Sequence, residues 1–183
     1  YHLPRIIKET KKGDTYIINF ITKLFEKEGF KILNQTLFNP ELVLKKGHYT
    51  KVKPNKKNFK DIKIGKKLIS NIKLKGVTQG VVIVDEKVIV PESYKGTDHM
   101  LDKAKKKLRK HIFNRKRNGI LLKFPKPNQD LRTDLPTVGI KTLKKCVDIG
   151  LKGIVIKSGH NIFLDKKNSI KIANKNKMFV TVI

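Results

Sequence analysis

QGVVIVDEKVIV, residues 79–90, sets the apolar runs VVIV and VIV on either side of Asp85-Glu86-Lys87. Branched apolar residues bounded by a charged tight turn predict two strands over residues 80–90, joined as a hairpin. Downstream, GILLKF (119–124) reads as a buried strand. It is followed by a helix near 140–149, the strand GIVIK, a short strand NIFL, a helix capped by Asp165, and a final strand MFVTVI. Gly159-His160 between GIVIK and NIFL reads as a hairpin turn, with no chemistry assigned to His160. Between the first hairpin and GILLKF, Thr97 or Asp98 caps a helix running to about Phe113, with Met100, Leu101, Ala104, Leu108 and Ile112 on one face. Strands and helices intermixed in this order predict a compact α/β or mixed α+β domain over residues 76–183.

Upstream, GDTYIINFITKLFEKEGF (13–30) places Ile17, Ile18, Ile21, Leu24 and Phe25 at helical spacing. Asp14 is positioned to cap that helix and Gly29 to end it. KILNQ then reads as a short strand, and Pro40 suits the start of a helical turn in NPELVL. GHYTKVKPNKKNFK (47–60) breaks the pattern, so residues 46–75 read as a linker carrying a short helix over 61–72.

The chain has 183 residues, enough for one domain or two small ones, and 38% are hydrophobic, which excludes a disordered basic tail. With 43 Lys and Arg against 15 Asp and Glu, the formal charge is +28. Such a charge suits a polyanionic partner. However, only Arg5, Arg109, Arg115, Arg117 and Arg132 are arginines, and Lys, Asn and Ile are abundant throughout, as adenine-rich coding produces without functional demand. The basic stretch KAKKKLRKHIFNRKR (103–117) has Phe113 as its one aromatic residue, and its apolar face is needed for the core. A solvated helix face is therefore the simpler reading, and no nucleic-acid partner is expected.

One cysteine, Cys146, fits a reducing compartment and a buried thiol. No apolar run approaches the roughly 20 residues of a membrane span, and no signal peptide is visible. A cytoplasmic location is expected, with contact at the inner-membrane surface left open. The chain begins with Tyr, so an upstream amino terminus is expected as well.

The unusual chemistry lies in KFPKPNQDLRTDLPTVG (123–139). After Asp102 the remaining acidic residues are Asp130, Asp134, Asp148 and Asp165, and two of these four share this loop with Lys123, Lys126 and Arg132. Pro125, Pro127 and Pro136 stiffen it. Carboxylates beside cations suit a Mg²⁺-diphosphate site, because hard cations take carboxylate and phosphate oxygens while Lys and Arg neutralise the remaining charge. The competing reading pairs both aspartates with Arg132 or nearby lysines, a surface arrangement that contributes little. In ESYKGTDHML (92–101), Glu92 and Asp98 offer further oxygens near a helix start, although Asp98 in a first helical turn is also a simple cap.

The blocks QGVVIVDEKVIVPESYKGTDHML, GILLKFPKPNQDLRTDLPTVGIKT and GLKGIVIKSGHNIFLD together resemble the carboxy-terminal domain of the LpxI-type UDP-2,3-diacylglucosamine diphosphatases. GDTYIINFITKLFEKEGFKI resembles the end of that family's amino-terminal α/β domain, which places residues 1–45 there. The resemblance implies a cytoplasmic, Mg²⁺-dependent hydrolase of lipid A biosynthesis, forming UMP and 2,3-diacylglucosamine 1-phosphate from a lipid-linked UDP-sugar. A homodimer is compatible with it.

The matching positions are Glu92, Thr97, Asp98, Lys123, Lys126, Gln129, Asp130, Arg132 and Asp134. We assign Asp130 and Asp134 to metal binding or water activation, with Asp98 and Glu92 as further metal ligands. Lys123, Lys126, Gln129, Arg132 and Thr97 are assigned to substrate. Lys95 stands where the family tends to carry an acid. The glycine-rich strand-turn-helix segment that opens family members has no counterpart here, so the fragment itself is expected to be inactive if that segment is required. A nucleic-acid-binding protein without catalysis is the alternative, and a non-catalytic lipid-sugar binding module is a third reading.

Overall fold

The computed structural model describes residues 2–11, 13–70, 78–112 (side chains to 108) and 118–183. The expected hairpin forms from β2 (Gly80–Val84) and β3 (Lys87–Pro91). Its turn residues Asp85 and Glu86 both have positive φ, 48° and 64°. Paired left-handed residues match the twist of the flanking strands. The turn is pinned from outside: the Glu86 amide donates to the buried Asp61 carboxylate at 2.7 Å, and Asn118 Nδ2 donates to Asp85 Oδ1 at 2.6 Å.

The second edge of β2 takes β4 (Ile120–Lys123) antiparallel. β6 (Gly153–Ile156) then adds parallel to β4, and β8 (Phe179–Val182) adds parallel to β6. β1 (Gly47–His48) closes the far edge antiparallel to β8, giving a mixed six-stranded sheet of order β1-β8-β6-β4-β2-β3. The parallel neighbours require crossovers, which α5 (Ile140–Ile149) and α6 (Lys166–Lys175) supply.

Alternation along the strands sorts the core into two layers. Val81, Ile83, Ile120, Leu122, Val155 and Phe179 face α3 (Lys56–Ile69) with its Ile62 and Ile69. Val82, Leu121, Ile154 and Val180 face α4 (Gly96–Ile112), α5 and α6, where Met100, Leu101, Ala104, Leu143, Cys146 and Ala173 are buried. The result is an α/β fold with helices on both faces of the sheet. Burial pushes the Cys146 thiol well above its ordinary pKa, as expected of a structural cysteine. Gly153 is required by packing, because a Cβ there would lie 2.3 Å from the Phe179 ring.

Several local expectations differ from the structure. α3 begins at Lys56 rather than 61 because Asn55 and Asn58 form a reciprocal capping box at 3.0 and 3.1 Å. It packs on the sheet and β1 pairs with β8, so two elements of the 46–75 stretch contribute to the sheet domain; Ile72 lies outside the described residues. KILNQ forms no strand: Asn34 accepts local turn bonds from Thr36 and Leu37, and Gln35 N donates to the Arg132 carbonyl at 2.9 Å without a ladder forming.

Gly159-His160 does not close a hairpin. β7 (Ile162–Phe163) pairs in parallel with β5 (Thr137–Val138), because the buried Asn161 turns the chain towards the loop after β4. Two helical starts also shift. Gly13, not Asp14, is the N-cap of α2 (Asp14–Lys27), and α4 starts at Gly96, which leaves Thr97 and Asp98 inside its first turn. A further helix, α1 (Leu3–Thr10), precedes α2.

Candidate active site

The loop from Phe124 to Pro136 leaves the buried end of β4 and is fastened at both ends. Phe124 N donates to Gln79 O at 2.8 Å, while Asn161 Nδ2 donates to Lys123 O at 3.1 Å and to Pro136 O at 3.3 Å. Asn161 was not anticipated as a site residue. The one signal for it in the sequence is the polar GHN turn beside an apolar strand.

Inside the loop, Gln129 is a brace. Its Oε1 accepts from Lys126 N at 2.8 Å and its Nε2 donates to Gln79 Oε1 at 3.4 Å. Thr133 N and Asp134 N both donate to Asp130 O, which closes one helix-like turn around the two aspartates.

Lys123, Glu92 and Thr97 come together at the base of the loop. Register places Gly80 opposite Lys123, and Gly80 has no side chain to fill the space. A Cβ there would lie 2.5 Å from Glu92 Oε2. Lys123 Nζ sits 3.3 Å from both Glu92 oxygens and also contacts Thr97 Oγ1, which donates to Glu92 Oε1 at 2.7 Å. Lys123 is 2% exposed and Glu92 4%. Burial pushes the Lys123 ammonium below its ordinary pKa, opposed by Glu92 and, more weakly, by the charge of Asp134.

The two loop aspartates differ. Asp130 receives a forked bond from Arg132, Nη2 to Oδ2 at 2.7 Å and Nε to Oδ1 at 3.0 Å, as well as the Arg132 amide at 2.9 Å. Arg132 Nη1 also reaches Glu26 Oε1 of α2 at 2.5 Å. Two carboxylates thus share one guanidinium, so the trio carries no spare positive charge for a diphosphate. Asp134 makes no side-chain hydrogen bond or ion pair with the described residues, and it is half-buried.

Hydrogen bonding to Arg132 holds the Asp130 carboxyl below its ordinary 3.8. A group depressed on folding contributes stability that is fully present above its unfolded pKa and is lost as pH falls through its folded one. Acid titration of the thermal midpoint should therefore show a decline below pH 3.8 that Asp130→Asn reduces. Identical acid profiles for the two proteins would exclude this contribution.

The four carboxylates assigned to metal are not gathered. Glu92 faces Lys123, Asp98 faces Lys141 at 2.5 Å, and Asp130 faces Arg132. Among the described residues no group of three or more His, Cys, Asp or Glu is placed to hold a metal ion. What fits Mg²⁺ here is a single carboxylate, Asp134, acting with phosphate oxygens from a substrate, the mode in which Mg²⁺ often binds. Lys126 points its ammonium to Thr15 Oγ1 of α2 at 3.0 Å.

The basic stretch 103–117 is described in part. Lys105 pairs with Asp148 and Lys107 donates to Ile89 O, while residues 113–117 lie outside the described residues.

Residues 45–181 match the family model described as the LpxI C-terminal domain. The chain is also 34% identical over 180 residues to the UDP-2,3-diacylglucosamine pyrophosphatase LpxI of Caulobacter vibrioides, a match covering 97% of this chain. It spans 64% of that relative's length. With the six-stranded sheet, except for the last residue of β8, and the 123–139 loop inside the matched residues, the chain belongs to the LpxI family.

Proposed function

We propose that this chain carries the catalytic loop of a hydrolase that splits the pyrophosphate of UDP-2,3-diacylglucosamine into UMP and 2,3-diacylglucosamine 1-phosphate in lipid A biosynthesis. The observation that supports this best is the contrast between the two aspartates: Asp130 is consumed by Arg132, while the Asp134 carboxylate makes no ion pair or hydrogen bond with the described residues. Asp134 orients the attacking water and takes its proton. Its two oxygens accept at several sites at once. Lys126 lies on the same loop and lends positive charge to the diphosphate.

Mg²⁺, when bound, neutralises further charge on the phosphate oxygens, and Asp134 is the residue that would hold it with them. Lys123 and Thr97 support Glu92 beneath the loop. Arg132 and Gln129 shape the loop, and Asp98 lies with the lysines of α5.

A substrate with acyl chains is drawn from a membrane interface, and peripheral contact there belongs to this reading. Leu3, Ile7, Phe25, Phe30 and Phe38 are exposed apolar side chains suited to such contact. No helix among the described residues is long and apolar enough to cross a membrane. The direct test is release of UMP from UDP-2,3-diacylglucosamine by the full-length protein. Release that rises with Mg²⁺ is expected, and no release under either condition overturns the activity.

A further inference from the structure

α2 turns the opposite face to the loop from the one its pattern predicts. Its apolar side chains Ile21 and Phe25 are exposed, whereas its buried residues are Thr15 and Thr22. Thr15, Asn19, Thr22 and Glu26 recur at spacings of four, three and four, so they form one polar stripe along the helix. Three of them touch the candidate loop. Thr15 Oγ1 accepts from Lys126 Nζ at 3.0 Å, Asn19 Nδ2 donates to Asn128 O at 3.0 Å, and Glu26 Oε1 accepts from Arg132 Nη1 at 2.5 Å. Just beyond the helix, Gln35 N donates to Arg132 O at 2.9 Å.

These partners lie 106 to 111 residues apart in the chain, and α2 lies outside the residues matched by the family model. The same seam carries unmet polarity: Asn19 Oδ1, Gln35 Nε2 and Thr133 Oγ1 are buried without a hydrogen-bond partner among the described residues. Buried groups left unpaired oppose the contact. The side-chain bonds that are made across the seam are therefore what ties the loop to α2, in addition to its anchors on the sheet.

We propose that Thr15, Asn19 and Glu26 are positioning residues, through which α2 sets the placement of Lys126, Asn128 and Arg132 and so the affinity of the loop for its diphosphate substrate. The placement of the loop rests on geometry alone, and its consequence for substrate rests on the function proposed above. The experiment compares wild type with Thr15→Val, Thr15→Ser, Asn19→Ala and Glu26→Ala in the full-length protein. Backbone hydrogen exchange is read at residues 129–134, together with KM and kcat for UMP release.

Glu26→Ala and Asn19→Ala should speed exchange in the loop about tenfold while leaving β4 and β6 amides unchanged, because the opening is local. Thr15→Val should raise KM about tenfold with kcat little changed, as expected for lost binding of ground and transition states alike, and Thr15→Ser should restore it. Loop exchange unchanged in all the variants overturns the proposal, as does faster exchange with KM unmoved in an active enzyme. If the wild type releases no UMP, the activity reading falls by itself, and exchange still decides whether α2 holds the loop.

Discussion

Asp134→Asn is expected to lower kcat for UMP release by about 10²- to 10⁴-fold, the range a positioned general base contributes. The amide keeps the size of the carboxylate, and Asp134 makes no side-chain bond to the described residues that the change would break. The Asp134 amide bond to Asp130 O, 2.9 Å, is backbone and stays. Folding should therefore be unaffected, and the thermal midpoint is the control. Asp130→Asn should behave differently. It disrupts the fork to Arg132, loosens the turn and raises KM, with a smaller fall in kcat. Near-normal kcat for Asp134→Asn, or a larger loss from Asp130→Asn than from Asp134→Asn, would reverse the roles given to the two aspartates.

The sheet domain was legible because its strands are short apolar runs separated by turn residues, and its helices carry one apolar stripe each. Val81 and Ile83 against Val82, or Ile120 and Leu122 against Leu121, show both core layers in two adjacent strands. The helix over 14–27 was legible too, but its orientation was not. Hydrophobic spacing says which residues share a face, and it cannot say that the polar face meets the loop. The candidate loop was located by its composition, a cluster of acids and prolines in a basic chain. What each acid does depends on contacts that composition does not encode. Glu92 and Lys123 are 31 residues apart and meet only because β2 pairs with β4 in a register that sets Gly80 opposite Lys123. The pairing of Asp130 with Arg132, two residues away, was legible as the competing reading, but Glu26 and Arg132 are 106 residues apart, so the second carboxylate on that guanidinium was not.

The second large effect concerns that Glu92–Lys123 pair. Lys123→Met leaves the Glu92 carboxylate in a site that is 4% exposed, with the Thr97 hydroxyl as the one remaining side-chain donor to it among the described residues. Removing one partner of a buried ion pair typically costs about 3–5 kcal/mol, because the remaining charge keeps its desolvation penalty and loses its compensation. Urea denaturation should read a loss of that order. In the double variant Lys123→Met with Glu92→Gln no charge is left unpaired, so much of the stability should return. The same pair of proteins tests where Lys123 acts. A lysine that bound the diphosphate directly would leave the double variant stable but inactive. Lys123 is 2% exposed, with its ammonium within 3.3 Å of both Glu92 oxygens, a geometry suited to supporting the loop from below. Turnover should therefore recover along with stability in the double variant. Recovery of stability alone would return Lys123 to the substrate, and additive losses in the double variant would show that the two side chains do not act as a pair.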